Sequence, residues 1–168
     1  MAQASPSRTG PELPPEAAGL AFLLGTWRGE GLGDYPTVQP FRYGEEVRFW
    51  HVGKPFLAYA QRTWSLADRT PLHGEMGYWR PSPGGRVELV VAHPTGIVEV
   101  AEGTVEGTSI QLASTVVART RTAKEVLRLE RTLRVEGDVL RYELRMAAVG
   151  VPLTRHLAGE LHRVPEPG

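Results

Sequence analysis

The sequence predicts an all-β chain: a ten-stranded antiparallel up-and-down barrel with one short N-terminal helix. Three observations carry that expectation. From Gly25 onward, apolar and polar residues alternate with period two in successive runs, giving each strand one buried and one wet face. Glycine and proline punctuate the runs at Val52-Gly53-Lys54-Pro55, Ser82-Pro83-Gly84-Gly85, Pro94-Thr95-Gly96, Val105-Glu106-Gly107 and Glu136-Gly137-Asp138. Only the stretch before Gly25 reads as helix, and ten strands with short connections are what such a barrel needs.

Residues 1–14, with three prolines, read as a disordered tail, and 165–168 as a short C-terminal one. The domain proper then spans 15–164. A helix is expected from Pro15 through Leu24, with proline in its first turn and Gly25 as its C-terminal cap. It would bring Leu20, Phe22, Leu23 and Leu24 against one end of the fold. The strands follow at 26–33, 43–51, 56–64, 72–80, 86–93, 96–103, 108–116, 124–135, 138–147 and 153–164. Alternation is sharpest in the ninth, where Leu140, Tyr142, Leu144 and Met146 oppose Arg141, Glu143 and Arg145. In the eighth, Leu127, Leu129, Leu133 and Val135 oppose Arg128, Glu130, Thr132 and Arg134. A ten-stranded barrel is wider than its own side chains need and tends to hold a ligand.

The first strand, within Gly25–Thr37 (GTWRGEGLGDYPT), places Gly25, Gly29, Gly31 and Gly33 beside Trp27 and Tyr35. Alternating glycines leave one strand face almost bare, as if a flat object lay against it. The alternative is a G-x-W opening that merely closes the barrel end, as in lipocalin-like barrels.

Composition excludes several functions. Lys plus Arg equals Asp plus Glu at 19 each, so nothing draws the chain to nucleic acid or an anionic membrane. With no cysteine, disulfides, thiol nucleophiles and thiolate-held metals are out. No apolar run is long enough for a membrane span, and the N-terminal stretch lacks the apolar region of a secretory signal. A soluble, cytoplasmic protein is expected. The five histidines are His51, His73, His93, His156 and His162, without zinc-protease spacing, and no G-x-S-x-G elbow occurs. His51, His73 and His93 read first as surface or edge histidines.

The glycine-rich first strand and the segment Met146–Arg163 around His156 together resemble the nitrobindin family, small haem-binding β-barrels of lipocalin and fatty-acid-binding-protein type. The resemblance covers roughly residues 20–164, and its most specific string includes Gly25, Trp27, Gly29 and Gly31. It implies one haem b per chain, with His156 as axial iron ligand and catalytic residue; His162 is the fallback. It implies Thr37 of the Y-P-T string and Lys124 at the haem, Lys124 pairing with a propionate. His73 and Met146 would line the distal pocket, with Phe49 and the inward face of the eighth strand as apolar walls. The segment 92–103, with His93, is assigned structure rather than chemistry. The implied activity is isomerisation of peroxynitrite to nitrate at an open ferric site, with nitric oxide as a further ligand and scavenging of reactive nitrogen species as the role.

Strand parity near His156 is unresolved. It puts Leu153, Leu157 and Leu161 on one face and His156, Glu160 and His162 on the other. Either a bulge between Pro152 and Arg155 resets the phase, or the even face borders the pocket and the leucines meet another apolar surface, which would suit a homodimer. The alternative function is a carrier of a fatty acid or other apolar molecule, with Arg62, Arg119 or Tyr142 holding a carboxylate. A third, haem transport or sensing, shares the cofactor without turnover.

Overall fold

The structure, a computed structural model, describes residues 10–166. A short 3-10 helix, Pro15–Leu23, leads into ten strands. They are β1 (Gly25–Tyr35), β2 (Val38–Trp50), β3 (Leu57–Ser65), β4 (Pro71–Ser82), β5 (Arg86–His93), β6 (Ile97–Glu106), β7 (Ser109–Arg119), β8 (Val126–Glu136), β9 (Val139–Ala148) and β10 (Val151–Arg163). Each pairs antiparallel with its sequence neighbours, and β10 returns to β1, closing the barrel. The expected ten-stranded barrel is the observed one. Boundaries differ in two places that matter. β2 begins five residues early, at Val38, where the chain is exposed and its pattern uninformative. Lys124 lies in the β7–β8 connection rather than on a strand.

The helix plugs one barrel end. Ala17, Leu20 and Leu23 are fully buried, and their spacing of three is that of a 3-10 helix presenting one face. Phe22, Leu24 and Leu13 pack against the same core. Residues 1–9 and 167–168 of the two expected tails lie outside the described residues. Trp27 is fully buried here, its indole N–H donating to the Leu23 carbonyl at 2.8 Å and the Arg163 guanidinium stacked 4.1 Å from its ring centre. Arg163 also donates to the Phe22 and Leu24 carbonyls. Gly25, at a φ of 115°, makes the turn from the helix into β1. The G-x-W string therefore closes the barrel end, the second of its two readings.

The bare glycine face is also corrected, because what lies against these glycines is the protein itself. Gly29 stands opposite Leu161 on β10, and the two backbones come so close that no side chain fits between them. A Cβ on Gly29 would overlap the Glu160 carbonyl oxygen and lie 2.8 Å from the Leu161 Cα. Gly29 is thus a strand-pairing residue and presents no face to a ligand. Further along β1 the flat objects are the protein's own rings. A Cβ on Gly31 would overlap the Tyr43 ring, and one on Gly33 would overlap that of Phe41. On β10, Gly159 makes the same room for Tyr142, whose ring would lie 2.5 Å from a Cβ there. Gly31 and Gly159 let two tyrosines fold inward and face each other. Gly25, Trp27, Gly29 and Gly31 accordingly build the barrel wall and its closed end, and none of them lines the cavity at the other end.

Candidate functional site: a chamber at the open end

The connections opposite the helix (35–38, 65–71, 93–97, 119–126 and 148–151) surround the mouth of a cavity of about 820 Å³. That lies within the range of small-molecule and cofactor pockets, roughly 300–1,000 Å³. The β7–β8 ladder runs only from Ser109↔Arg134 to Ala113↔Glu130. Beyond Ala113 the two strands are not laddered together, which opens the wall beside the 120–125 connection. Thr37, Lys124, His73, Met146 and His156 all line the chamber, so the residues expected to touch the cofactor are brought to one place. Phe49, Leu129 and Leu133 contribute apolar wall, as expected.

His156 owes its position to a bulge. Arg155 pairs with Arg145 but Leu157 with Leu144, so His156 is an extra residue on β10. It and Leu157 both reach the cavity, while Glu160 and His162 stay exposed. The phase slips twice, between Val151 and Thr154 within the expected stretch and again at His156 itself. Leu157 and Leu161 face inward and Leu153 does not join them, so the outward apolar stripe invoked for a dimer is absent. His162 is no fallback ligand: it pairs with Glu160 on the outer surface.

Two neighbours fix the ring. His156 Nδ1 lies 3.2 Å from the carbonyl oxygen of Asp34, next to a break in the β1–β2 register. The carbonyl can only accept, so Nδ1 carries the proton and Nε2 keeps its lone pair. Tyr35 packs edge-on at 5.1 Å between ring centres. Its hydroxyl accepts from the Ala148 N–H at 3.0 Å, tying β1 to β9 beneath the bulge. Burial holds the His156 pKa below its ordinary value, favouring the neutral imidazole. A neutral histidine whose second nitrogen donates to a backbone carbonyl is the form that ligates metals. With apolar walls, a lysine at the rim and this imidazole, the lining fits a haem.

Below the mouth the interior carries polar clusters that parity placed inside but sequence reasoning passed over. In the first, Glu45 is buried with Tyr142 donating to one oxygen and Gln61 to the other, at 3.0 Å for Gln61. Tyr43 and Tyr142 hydroxyls bond to each other. Burial pushes the Glu45 carboxyl up to about 7 and raises both tyrosines further. The sign of the consequence is definite. A carboxyl raised from 4.5 when unfolded to about 7 when folded removes stability as pH rises between those values. Glu45→Gln is therefore expected to flatten that slope in the haem-free protein, raising the melting temperature at alkaline pH and changing little near pH about 4.5. Thermal melts across the range check it.

The second cluster centres on Arg131, which shares the inward face of β8 with Leu129 and Leu133. Its guanidinium bridges Glu75 at 2.9 Å and Glu99 at 2.7 Å. Burial is the largest influence and would raise both carboxyls, but Arg131 together with His73, His93 and Tyr59 at Glu75, and with His93 at Glu99, holds both below the usual range. His93 completes this cluster. Its side chain is 9% exposed and Nε2 sits 3.2 Å from Glu99, so it is an interior residue and not the surface or edge histidine expected. His51 lies at the plugged end, where its Nδ1 accepts from the Gly53 N–H. Leu127, expected inward on β8, is bulged out and 66% exposed. The carrier reading loses its anchors too. Arg62 and Arg119 are exposed, Tyr142 is occupied by Glu45, and Arg131 is saturated by two carboxylates.

Comparison with known proteins agrees with this geometry. Residues 16–163 match the family described as THAP4-like, heme-binding beta-barrel domain. A Mycobacterium ulcerans protein named peroxynitrite isomerase 2 is 53% identical over 156 residues, 90% of this chain and 97% of the relative. A Nocardia farcinica peroxynitrite isomerase is 51% identical over 155 residues, 90% of this chain and 92% of the relative. The crystal structure of Rv2717c from M. tuberculosis superposes with a TM-score of 0.86 at 50% identity, covering 92% of this chain and all of that one. The chain belongs to the THAP4-like haem-binding β-barrel family, the nitrobindins.

Proposed function

We propose that the chain binds one haem b in the open-end chamber through His156 and isomerises peroxynitrite to nitrate, with nitric oxide as a second ligand of the same centre. The observation that carries this is the bulged His156, neutral, turned inward and held by the Asp34 carbonyl. The relatives named peroxynitrite isomerase support the reaction. The reaction conserves atoms and electrons: the O–O bond of peroxynitrite breaks, a third N–O bond forms, and nothing is gained or lost. Haem held by His156 would supply a Lewis-acidic iron able to bind a small anion.

The chain supplies the rest. His156 Nε2 offers its lone pair, and the Asp34 carbonyl keeps the proton on Nδ1. Lys124 at the rim offers a cation for a propionate, and Thr37 a hydroxyl beside it. Phe49, Leu129, Leu133 and Met146 form apolar wall that would limit water around the bound group. His73, a third exposed, lines the same chamber.

Rapid mixing of the haem-loaded protein with peroxynitrite tests the reading. The expected result is faster decay than in buffer and a nitrate yield that rises with protein concentration. Decay equal to the buffer control with haem bound would leave transport or sensing.

A further inference from the structure

On the chamber wall, three ligand atoms from adjacent strands converge on one point. His73 Nε2 is 3.2 Å from His93 Nδ1 and 3.8 Å from Glu75 Oε2, and His93 Nδ1 is 3.4 Å from that same oxygen. The circle through the three atoms has a radius of about 2.0 Å, so one point is equidistant from all of them at a metal–nitrogen bond length. We propose that His73, Glu75 and His93 form a binding site for one divalent first-row transition ion, separate from the His156 haem site.

The surroundings are those of a built metal site. Glu75 Oε1 is taken by the Tyr59 hydroxyl at 2.6 Å and by Arg131 Nη1 at 2.9 Å, while Oε2 faces the histidines with Arg131 Nη2 at 3.5 Å. His93 Nε2 contacts Glu99 Oε2 at 3.2 Å, an arrangement that fixes the tautomer with Nδ1 as the lone-pair nitrogen and strengthens it as a ligand. Glu99 is in turn held by Arg131 at 2.7 Å. Without a metal, a proton on His73 Nε2, donated to His93 Nδ1 at 3.2 Å, lets the three atoms approach, and a divalent ion would take that proton's place. Glu75 and Glu99 also outnumber the single guanidinium among them. Two histidines and one carboxylate with further positions open suit iron(II), cobalt(II) or zinc(II). His73 and His93 both line the cavity, so the open positions would face the chamber.

Equilibrium dialysis of the haem-loaded protein against Zn²⁺, with metal analysis, tests the proposal. One zinc per chain is expected to be retained. His73→Ala and His93→Gln should each abolish retention, and Glu99→Gln should weaken it about 10- to 100-fold. A His51→Ala/His162→Ala double variant, altered only away from the site, should retain it in full. Co²⁺ added to haem-free protein should give a visible ligand-field spectrum that His73→Ala removes. His73 is partly exposed and its truncation leaves the Arg131 pairs intact, so it decides the matter should His93→Gln not fold. Zinc absent from the wild type would overturn the proposal and leave the place to that proton. Zinc retained by His73→Ala, or lost from the surface double variant, would overturn it as adventitious binding.

Discussion

His156→Ala is expected to weaken haemin binding by at least about 100-fold, since altering even the partners of a ligating histidine costs 10- to 100-fold. A haemin titration followed at the Soret band reads it directly. The wild type should saturate at one haem per chain with a sharp end point, and the variant should show a broad, shifted and non-saturating band. The fold should survive, because His156 sits at a bulge and its one side-chain hydrogen bond is to the Asp34 carbonyl at the mouth. Equal urea midpoints for the two haem-free proteins would show that the loss is one of ligation. Acid should act through the same atom. Burial lowers the folded pKa of His156 below the ordinary 6.5. Nε2 therefore stays unprotonated until the pH falls through that lowered value, and iron competes against protons only below it. Haem release on acidification should accordingly begin below pH about 6.5. An identical titration in wild type and His156→Ala would refute the assignment.

The barrel was legible because period-two alternation and turn residues are local, and each strand carries its own copy of the signal. Of the candidate site, the sequence reading named residues at the rim, Thr37, His73, Lys124, Met146 and His156, that all line the chamber. Two things escaped. Bulges at His156 and Leu127 break the very periodicity used to assign faces, and a bulge is fixed by pairing with the neighbouring strand. The interior charges escaped because each looks ordinary alone. Arg131 keeps step with Leu129 and Leu133, Glu75 with Trp79, and Glu99 with Ile97 and Ala101, so parity did place them inside. Charge argues for solvent, and the argument fails only because residues up to 56 apart in sequence neutralise one another once the barrel closes. The glycines misled for a related reason. The β10 backbone that crowds Gly29 and the rings that cover Gly31 and Gly33 belong to other strands, out of reach of any local pattern.

Arg131→Met should be the most damaging substitution to stability, at about 3–5 kcal/mol, because removing one partner leaves the other charges buried and uncompensated. Glu75 is 7% and Glu99 0% exposed, so water cannot replace the guanidinium at either. The loss should depend on pH with a definite sign. In the wild type Arg131 and the hydrogen bonds around it hold both carboxyls below 4.5, so the network contributes stability above that value and loses it as pH falls. Without Arg131 their folded pKa values rise, and the variant should weaken further as pH rises past 4.5. The two proteins should converge in acid and diverge most in alkali, which urea unfolding at pH about 4 and about 8 would show. A triple variant, Arg131→Met/Glu75→Gln/Glu99→Gln, separates the value of the network from the penalty of breaking it. With no charge left unpaired it should recover most of the stability, since buried ion networks contribute little beyond a well-packed neutral replacement. It should nevertheless lose the zinc retained by the wild type. That combination, fold restored and metal site gone, would mean the charges are kept for the chamber's chemistry and not for its stability.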